Sequence, residues 1–332
     1  MHAFREGSPM SSIQNRLPWR TAWCAAFVLS MVAFANAGEG GGIVYPIGVE
    51  TVMPAVQPAP HMLVMQGFNL FYSASRFNDS KGNSAIPNFR LTLYGGAVKY
   101  KYNWGVKVLG GNLMSGFALQ PAYEQLEAAG ASQEKTNFAN TDLEPLFVVY
   151  HKGSLYWHYG MDIWTPGASY TKGDLVNVGP HYWDFEPVAA VTWLPNKGKT
   201  ELSSRVHYAL KTTNQATNYH SGSEISWEFN ADENVSKKVA LGFQGFLLKQ
   251  VRDDTINGVS AGVNGNRCQD LGLGPQVRIA ISKGVIAFKY FRDTDVRYHP
   301  VGNGFWFEFG VPLHQQKQNK LRDLRLGLPA FC

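Results

Sequence analysis

The sequence predicts an all-β protein: a transmembrane up-and-down antiparallel β-barrel of about 12 strands. Three observations predict it. The first is strict alternation, clearest in ELSSRVHYALKTT over residues 201–213. There Glu201, Ser203, Arg205, His207 and Lys211 share one parity, and Leu202, Val206, Tyr208 and Leu210 the other. Successive strand side chains point to opposite faces, so this segment has one wet and one dry face. The second is length: the alternating segments run to roughly 9–14 residues, as tilted membrane strands require, whereas soluble strands average about 5–6. The third is the connections, which alternate between tight turns and long polar loops. A barrel gives that asymmetry when one rim faces the periplasm and the other the outside.

Strands are expected near 63–76, 89–102, 106–121, 143–151, 155–164, 181–194, 200–212, 219–230, 237–250, 271–281, 285–297 and 304–313. Tight turns fall at Asn103-Trp104-Gly105, Lys152-Gly153-Ser154, Pro195 to Gly198, Asp232-Glu233-Asn234 and Ser282-Lys283-Gly284. The loops between them are 77–88, 122–142, 165–180, 213–218, 251–270 and 298–303. One stretch, YEQLEAAGASQEK from Tyr123 to Lys135, has helical character. The dry parity carries Val239, Leu241, Phe243 and Leu247, then Val277, Ile279 and Ile281, then Phe305, Phe307, Phe309 and Val311. Opposite them stand Lys238, Gln244, Gln250, Gln276, Arg278 and Glu308. In 183–193 the dry parity opens with Trp183 and Phe185 and ends with Trp193, as the two interfacial girdles of a barrel would. In a soluble core such rings would simply pack. Their repetition alongside the loop alternation favours lipid.

The chain opens on a different kind of segment. RLPWRTAWCAAFVLSMVAFANA, residues 16–37, has a basic start, an apolar run and an A-x-A site, the plan of a secretory signal. The run is shorter than the roughly 20 residues a spanning anchor needs. Cleavage near Ala37 and a location in the outer membrane of a Gram-negative bacterium are expected. Processing removes Arg5, Arg16, Arg20 and Glu6 and leaves a small, scattered positive excess, which with export argues against nucleic acid. Aromatics at 13%, charged residues at 17% and 34 glycines fit a strand-rich chain with many turns. The expected organisation is signal 1–37, irregular Gly/Pro-rich lead-in 38–61, barrel 62–313, and a C-terminal extension or last strand 314–332. The lead-in has no place in the wall, and its apolar Val44, Tyr45 and Ile47 suggest a segment folded back as a partial plug. Cys268 and Cys332 survive processing; an oxidising compartment permits their pairing, but two cysteines are no disulfide scaffold.

Several segments match a known pattern across most of the mature chain: YPIGVET (Tyr45 to Thr51), PVAAVTWLP (Pro187 to Pro195), Tyr219 to Glu224, GFQGFLLKQVRDD (Gly242 to Asp254), LGLGPQV (Leu271 to Val277) and VGNGFWFEF (Val301 to Phe309). In order and spacing they resemble the outer-membrane family named for the meta-pathway of phenol degradation, often labelled transporter-like. The resemblance implies an outer-membrane β-barrel, and its name suggests passage of aromatic or other hydrophobic compounds. Barrels of this kind usually finish on an aromatic residue read by the barrel-insertion machinery. Here HQQKQNKLRDLRLGLPAFC follows the last strand, and Phe331 is penultimate.

The wet parity nominates an interior lining of Lys99, Lys101, His158, Asp162, Asp184, Glu186, Glu201, Arg205, His207, Lys211, Glu224, Glu228, Arg278, Lys289, Asp293 and Glu308. Both signs occur, so no strong ion preference follows. Two readings stand side by side: groups that satisfy one another as packing, and the lining of a narrow water path. The Asp184–Glu186 pair fits an interior network as well as catalysis. Asp253 and Asp254 with Asn264 and Asn266 suggest calcium, but without EF-hand spacing a hydrated loop explains them better. The nine histidines show no zinc spacing, and neither G-x-S-x-G nor a Walker motif is present. No enzyme, metal or cofactor is therefore expected. The sequence points to a passive channel for small, aromatic or hydrophobic solutes, its partners being membrane lipid and those solutes. Two alternatives are a lipid-acting barrel enzyme using His207, His220 and Ser221, and an adhesive barrel working through its loops. His220 and Ser221 adjoin on a strand and so point to opposite faces, which bars a direct dyad.

Overall fold

The computed structural model describes Glu39 and residues 42–315. The signal segment and the tail with Phe331 and Cys332, and with it the pairing of Cys332 with Cys268, lie outside the described residues. In chain order the strands are β1 (Met62–Phe77), β2 (Arg90–Val108), β3 (Gly111–Leu119), β4 (Pro121–Ala128), β5 (Ala131–Phe138) and β6 (Asp142–Lys152). They continue with β7 (Leu155–Trp164), β8 (Asp184–Trp193), β9 (Thr200–Lys211), β10 (Tyr219–His220), β11 (Glu224–Asn234) and β12 (Val239–Gln250). The last are β13 (Thr255–Ile256), β14 (Val259–Ser260), β15 (Gln269–Ile281), β16 (Gly284–Asp293) and β17 (Pro300–Gln315).

Twelve of these form a closed antiparallel barrel in the order β1–β2–β3–β6–β7–β8–β9–β11–β12–β15–β16–β17. The ring closes where β17 pairs with β1, from Met62 opposite Gln315 to Phe77 opposite Pro300. No helix among the described residues is long and apolar enough to cross a membrane; the chain crosses with strands. Sidedness follows the alternation. On β9, Arg205 is 0% exposed while its neighbour Val206 is 40% exposed. Leu202, Leu210, Trp183, Phe185 and Trp193 face outward with Val206. Lys238, by contrast, is exposed in a turn and joins neither face.

Four local expectations are corrected. The helical stretch 123–135 is the β4–β5 hairpin: Ala129 and Gly130, at φ 51° and 90°, reverse the chain, and β4 pairs with Arg90–Gly95 of β2. The long free edge of β2 overrides local helix propensity there. Asn103-Trp104-Gly105 is no turn, because β2 runs on to Val108 through a register shift at Asn103/Lys107, with Gly105 at φ 68°. The chain reverses instead at Leu109 and Gly110, both at positive φ as two-residue hairpin turns require. Asp232 to Asn234 likewise belong to β11, and the reversal falls at 235–238. The loop containing 251–268 is not plain coil: β10, β13 and β14 form a small sheet at the long-loop rim.

The β4–β5 hairpin carries loop 165–183 on one face, fixed by Lys135 to Asp174 at 2.8 Å and by Gln133 accepting from the Val176 N–H. Glu124 sits opposite Lys135, and burial pushes its carboxyl up to about 7 despite that cation. An acid raised in this way favours the folded hairpin while protonated and opposes it once charged. Raising the pH from 6 to 8 should therefore speed amide exchange in 131–138 and 171–177 beyond the intrinsic base-catalysed increase. Glu124→Gln should remove that excess; an excess that persists in the variant would assign it to another group.

Candidate functional site

All sixteen nominated residues are buried on the inner face of the wall. Most of the charged ones meet partners contributed from several strands. Lys99 on β2 reaches Glu144 at 2.8 Å and Asp142 at 3.2 Å on β6. Arg205 on β9 binds Asp162 on β7 at 3.0 Å and donates from Nε to Nε2 of His207 at 2.6 Å. His207 therefore carries its proton on Nδ1, which donates to Glu186 at 3.0 Å. Across the barrel, Arg278 on β15 binds Asp232 on β11 at 2.7 Å, with Glu201 at 3.4 Å. Nearer the long-loop rim, Lys211 pairs with Glu224, and Asp293 accepts from the Tyr72 hydroxyl at 2.6 Å.

The network is completed from outside the wall. Residues 42–61 run through the lumen, and their contacts change steadily along it. Glu39, just upstream, accepts from Tyr170 and Asn214 and donates its N–H to Ser221, all in the long-loop region. Tyr45 lies against the His207 ring, centroids 4.2 Å apart, and donates its hydroxyl to Glu228 at 2.8 Å. Glu50 meets Arg205, Lys101 at 3.0 Å and Lys99 at 3.5 Å. Lys289, paired with Glu308, donates to the Gly48, Val49 and Thr51 oxygens at 2.6–3.1 Å. Further on, the Met53 N–H donates to Glu201, Gln57 meets His158, and Asn103 donates to the Pro58 carbonyl at the short-turn rim. The first and last strand termini, Met62 and Gln315, lie at the short-turn end, but Glu39 is at the other.

Alternation alone missed Glu50, Asp142, Glu144 and Asp232. Glu50 lies in no strand. Asp142 and Glu144 precede a bulge between Leu143 and Leu146 that leaves Pro145 and Leu146 both outward, so parity counted back from Phe147 puts them on the wrong face. The proline at 145 was the available signal. Asp232 was assigned to a turn.

Oxygen and nitrogen atoms of Asp162, Glu186 and His207 come close enough to hold a metal ion, as do those of Asp142, Glu144 and Asp162. The donors already present oppose this. Arg205 uses the His207 lone pair and one Asp162 oxygen, and Lys99 lies against both Asp142 and Glu144. In the 251–268 loop, Asp253 accepts from Ser260 and Arg267, and Asp254 from Tyr219, Gly222 and Gln250, so protein donors stand where calcium would. His220 meets Thr213 at 3.4 Å, and the Ser221 hydroxyl accepts from Glu39; the two do not meet each other.

A closed wall with an apolar outside and a charged inside defines a transmembrane β-barrel of the outer-membrane type. The chain belongs to the family described as "Putative MetA-pathway of phenol degradation", whose model matches residues 74–309. Its fold is similar to that of an outer membrane channel from Pseudomonas putida F1, with a TM-score of 0.69, 12% identity, and coverage of 78% of this chain and 98% of that one. The transport unit of the autotransporter AIDA-I from Escherichia coli is more distant, with a TM-score of 0.47, 10% identity, and coverage of 87% and 97% respectively. No curated protein matches the sequence.

Arg205→Met would leave Glu50 and Asp162 buried without their shared cation, a loss of about 3–5 kcal/mol. The temperature at which the folded gel band gives way to the unfolded one should fall accordingly. Lys199→Met breaks only an exposed pair with Glu233, worth about 0–1 kcal/mol, and should leave that temperature nearly unchanged.

Proposed function

We propose that this barrel is an outer-membrane channel for passive uptake of small aromatic or hydrophobic solutes, with residues 38–61 as its plug. The observation that carries the reading is the thread of residues 42–61 held in the lumen by the wall's own charges, above all Glu50 against Lys99, Lys101 and Arg205. A barrel built only for packing or adhesion has no use for a removable strand of chain along its axis. The similarity to a channel and the family's name support passage and the solute class respectively. The mixed lining gives no single-sign ring that would select ions. On this reading the sixteen inward residues line the path, the leader is cleaved near Ala37, and the insertion machinery assembles the barrel. A non-enzymatic role is supported by His207, whose two ring nitrogens are both engaged, and by the separation of His220 from Ser221.

Deleting residues 38–60 should raise single-channel conductance and liposome permeability to small aromatics, and Glu50→Gln should raise the open fraction in the full chain. An unchanged conductance from a deletion variant that still shows heat-modifiable migration would overturn the plug. Turnover of phospholipid by the refolded protein would overturn the non-enzymatic reading.

A further inference from the structure

A cavity of about 190 Å³ lies at the short-turn end of the lumen, between the thread and strands β1, β16 and β17. Its walls include Val52, Met53 and Val56 of the thread, Val64 and Phe68 of β1, and Val285 of β16. One row of the wall explains the space: Gln66 on β1 pairs with Gly310 on β17, and Gly310 with Val285 on β16. Gly310 contributes no side chain, and a Cβ placed there would meet only the Gln66 Cγ, at 3.8 Å. Besides Glu50, Gln57, Lys101, Lys283 and Glu308, which also line it, the sequence sets Gln66 into this mostly apolar niche. The Gln66 Oε1 is buried and has no hydrogen-bond partner among the described residues, a costly state unless something else supplies a donor.

We propose that this niche binds small neutral aromatic molecules bearing a hydroxyl group, phenols in chemical class, as a station on the path proposed above. The argument rests on that channel reading only for the use of the site. An apolar cavity of about 150 Å³ is enough to hold benzene, so this one admits a single substituted ring. The Met53 and Met62 thioethers and the Phe68 ring give such a ring favourable sulfur and edge contacts. The Gln66 amide can exchange a hydrogen bond with a hydroxyl, which a purely hydrocarbon ring lacks. The charges at the inner end are already paired, Glu50 with Lys101 and Glu308 with Lys289, which leaves Lys283 at the mouth as the lining cation an anionic ring would meet.

The test uses the full processed chain in lipid nanodiscs, with methionine methyl groups labelled for NMR and phenol, toluene and benzoate as probes. Phenol should shift the Met53 and Met62 methyls saturably and leave buried Met114 and wall-facing Met161 unmoved. Toluene should bind at least tenfold more weakly, and in Lys283→Met, which removes the cation at the mouth, benzoate should not bind. Gly310→Leu, which fills the niche at a backbone position open to any side chain, should abolish the phenol shifts. Gln66→Leu should bring phenol down to the level of toluene. Equal shifts at all four methyls, equal affinity for phenol and toluene, or saturation that survives Gly310→Leu would each overturn the proposal; heat-modifiable migration verifies that the variants fold. Phenol entry into liposomes without methyl shifts would sink this site and leave the channel standing. Methyl shifts without entry would do the reverse.

Discussion

Hydrocarbon offers no partner to a backbone amide, and that constraint organises the whole molecule. A sheet with a free edge in the bilayer would leave a column of N–H and C=O groups unsatisfied, so the first and last strands must meet. They do so over their full length, β1 against β17. Once the ring is shut, strand alternation decides the rest. Every second residue is committed to lipid, and every charge a strand carries within the bilayer has only the lumen to go to. The interior is thus an inverted core, polar because the outside cannot be.

An interior of this kind has its own requirement. Buried charges are tolerable when paired and hydrogen-bonded and expensive otherwise. The strands nearly manage this among themselves, through Lys99 with Asp142 and Glu144, Arg278 with Asp232, and Lys211 with Glu224. Lys101 and Arg205 are completed by Glu50, and Lys289 by three oxygens of the thread as well as by Glu308. The wall and the thread therefore share one electrostatic network. That makes the thread more than filler: withdrawing it exposes cations that were satisfied, and only incoming water or solute can compensate.

Much of this was legible before any coordinates. Strand alternation at residues 201–213 gave the side of the wall for Glu201, Arg205, His207 and Lys211, because a period of two leaves no freedom once one face is apolar. It failed where the period itself breaks. The bulge at Pro145 hid Asp142 and Glu144, and the register shift at Gly105 made a strand interior look like a turn. The helical character of 123–135 was real as propensity and lost to the unpaired edge of β2. Glu50 was hidden for a different reason: pattern reading works on regular elements, and a Gly/Pro-rich segment has no period to read. Its apolar Val44, Tyr45 and Ile47 showed that the segment seeks cover, while its charge partners depend on contacts between residues 49–155 positions apart in sequence.

The thread is not held evenly, and the unevenness matters for the proposed path. From Tyr45 to Thr51 it is tied by ion pairs and by bonds to Glu228 and Lys289. From Val52 to Pro58 its ties to the wall are single neutral or singly charged hydrogen bonds to Glu201, Thr192, His158 and Asn103. The apolar cavity lies under this second, looser half. A solute leaving the lumen at the short-turn end would need to displace only that half, sliding between valines and methionines without separating Glu50 from its three cations. Entry past the first half does require that separation. The strongest barrier then stands at the middle of the barrel, where the charges are most crowded, and the weakest at the exit, where the wall has left out a side chain at Gly310.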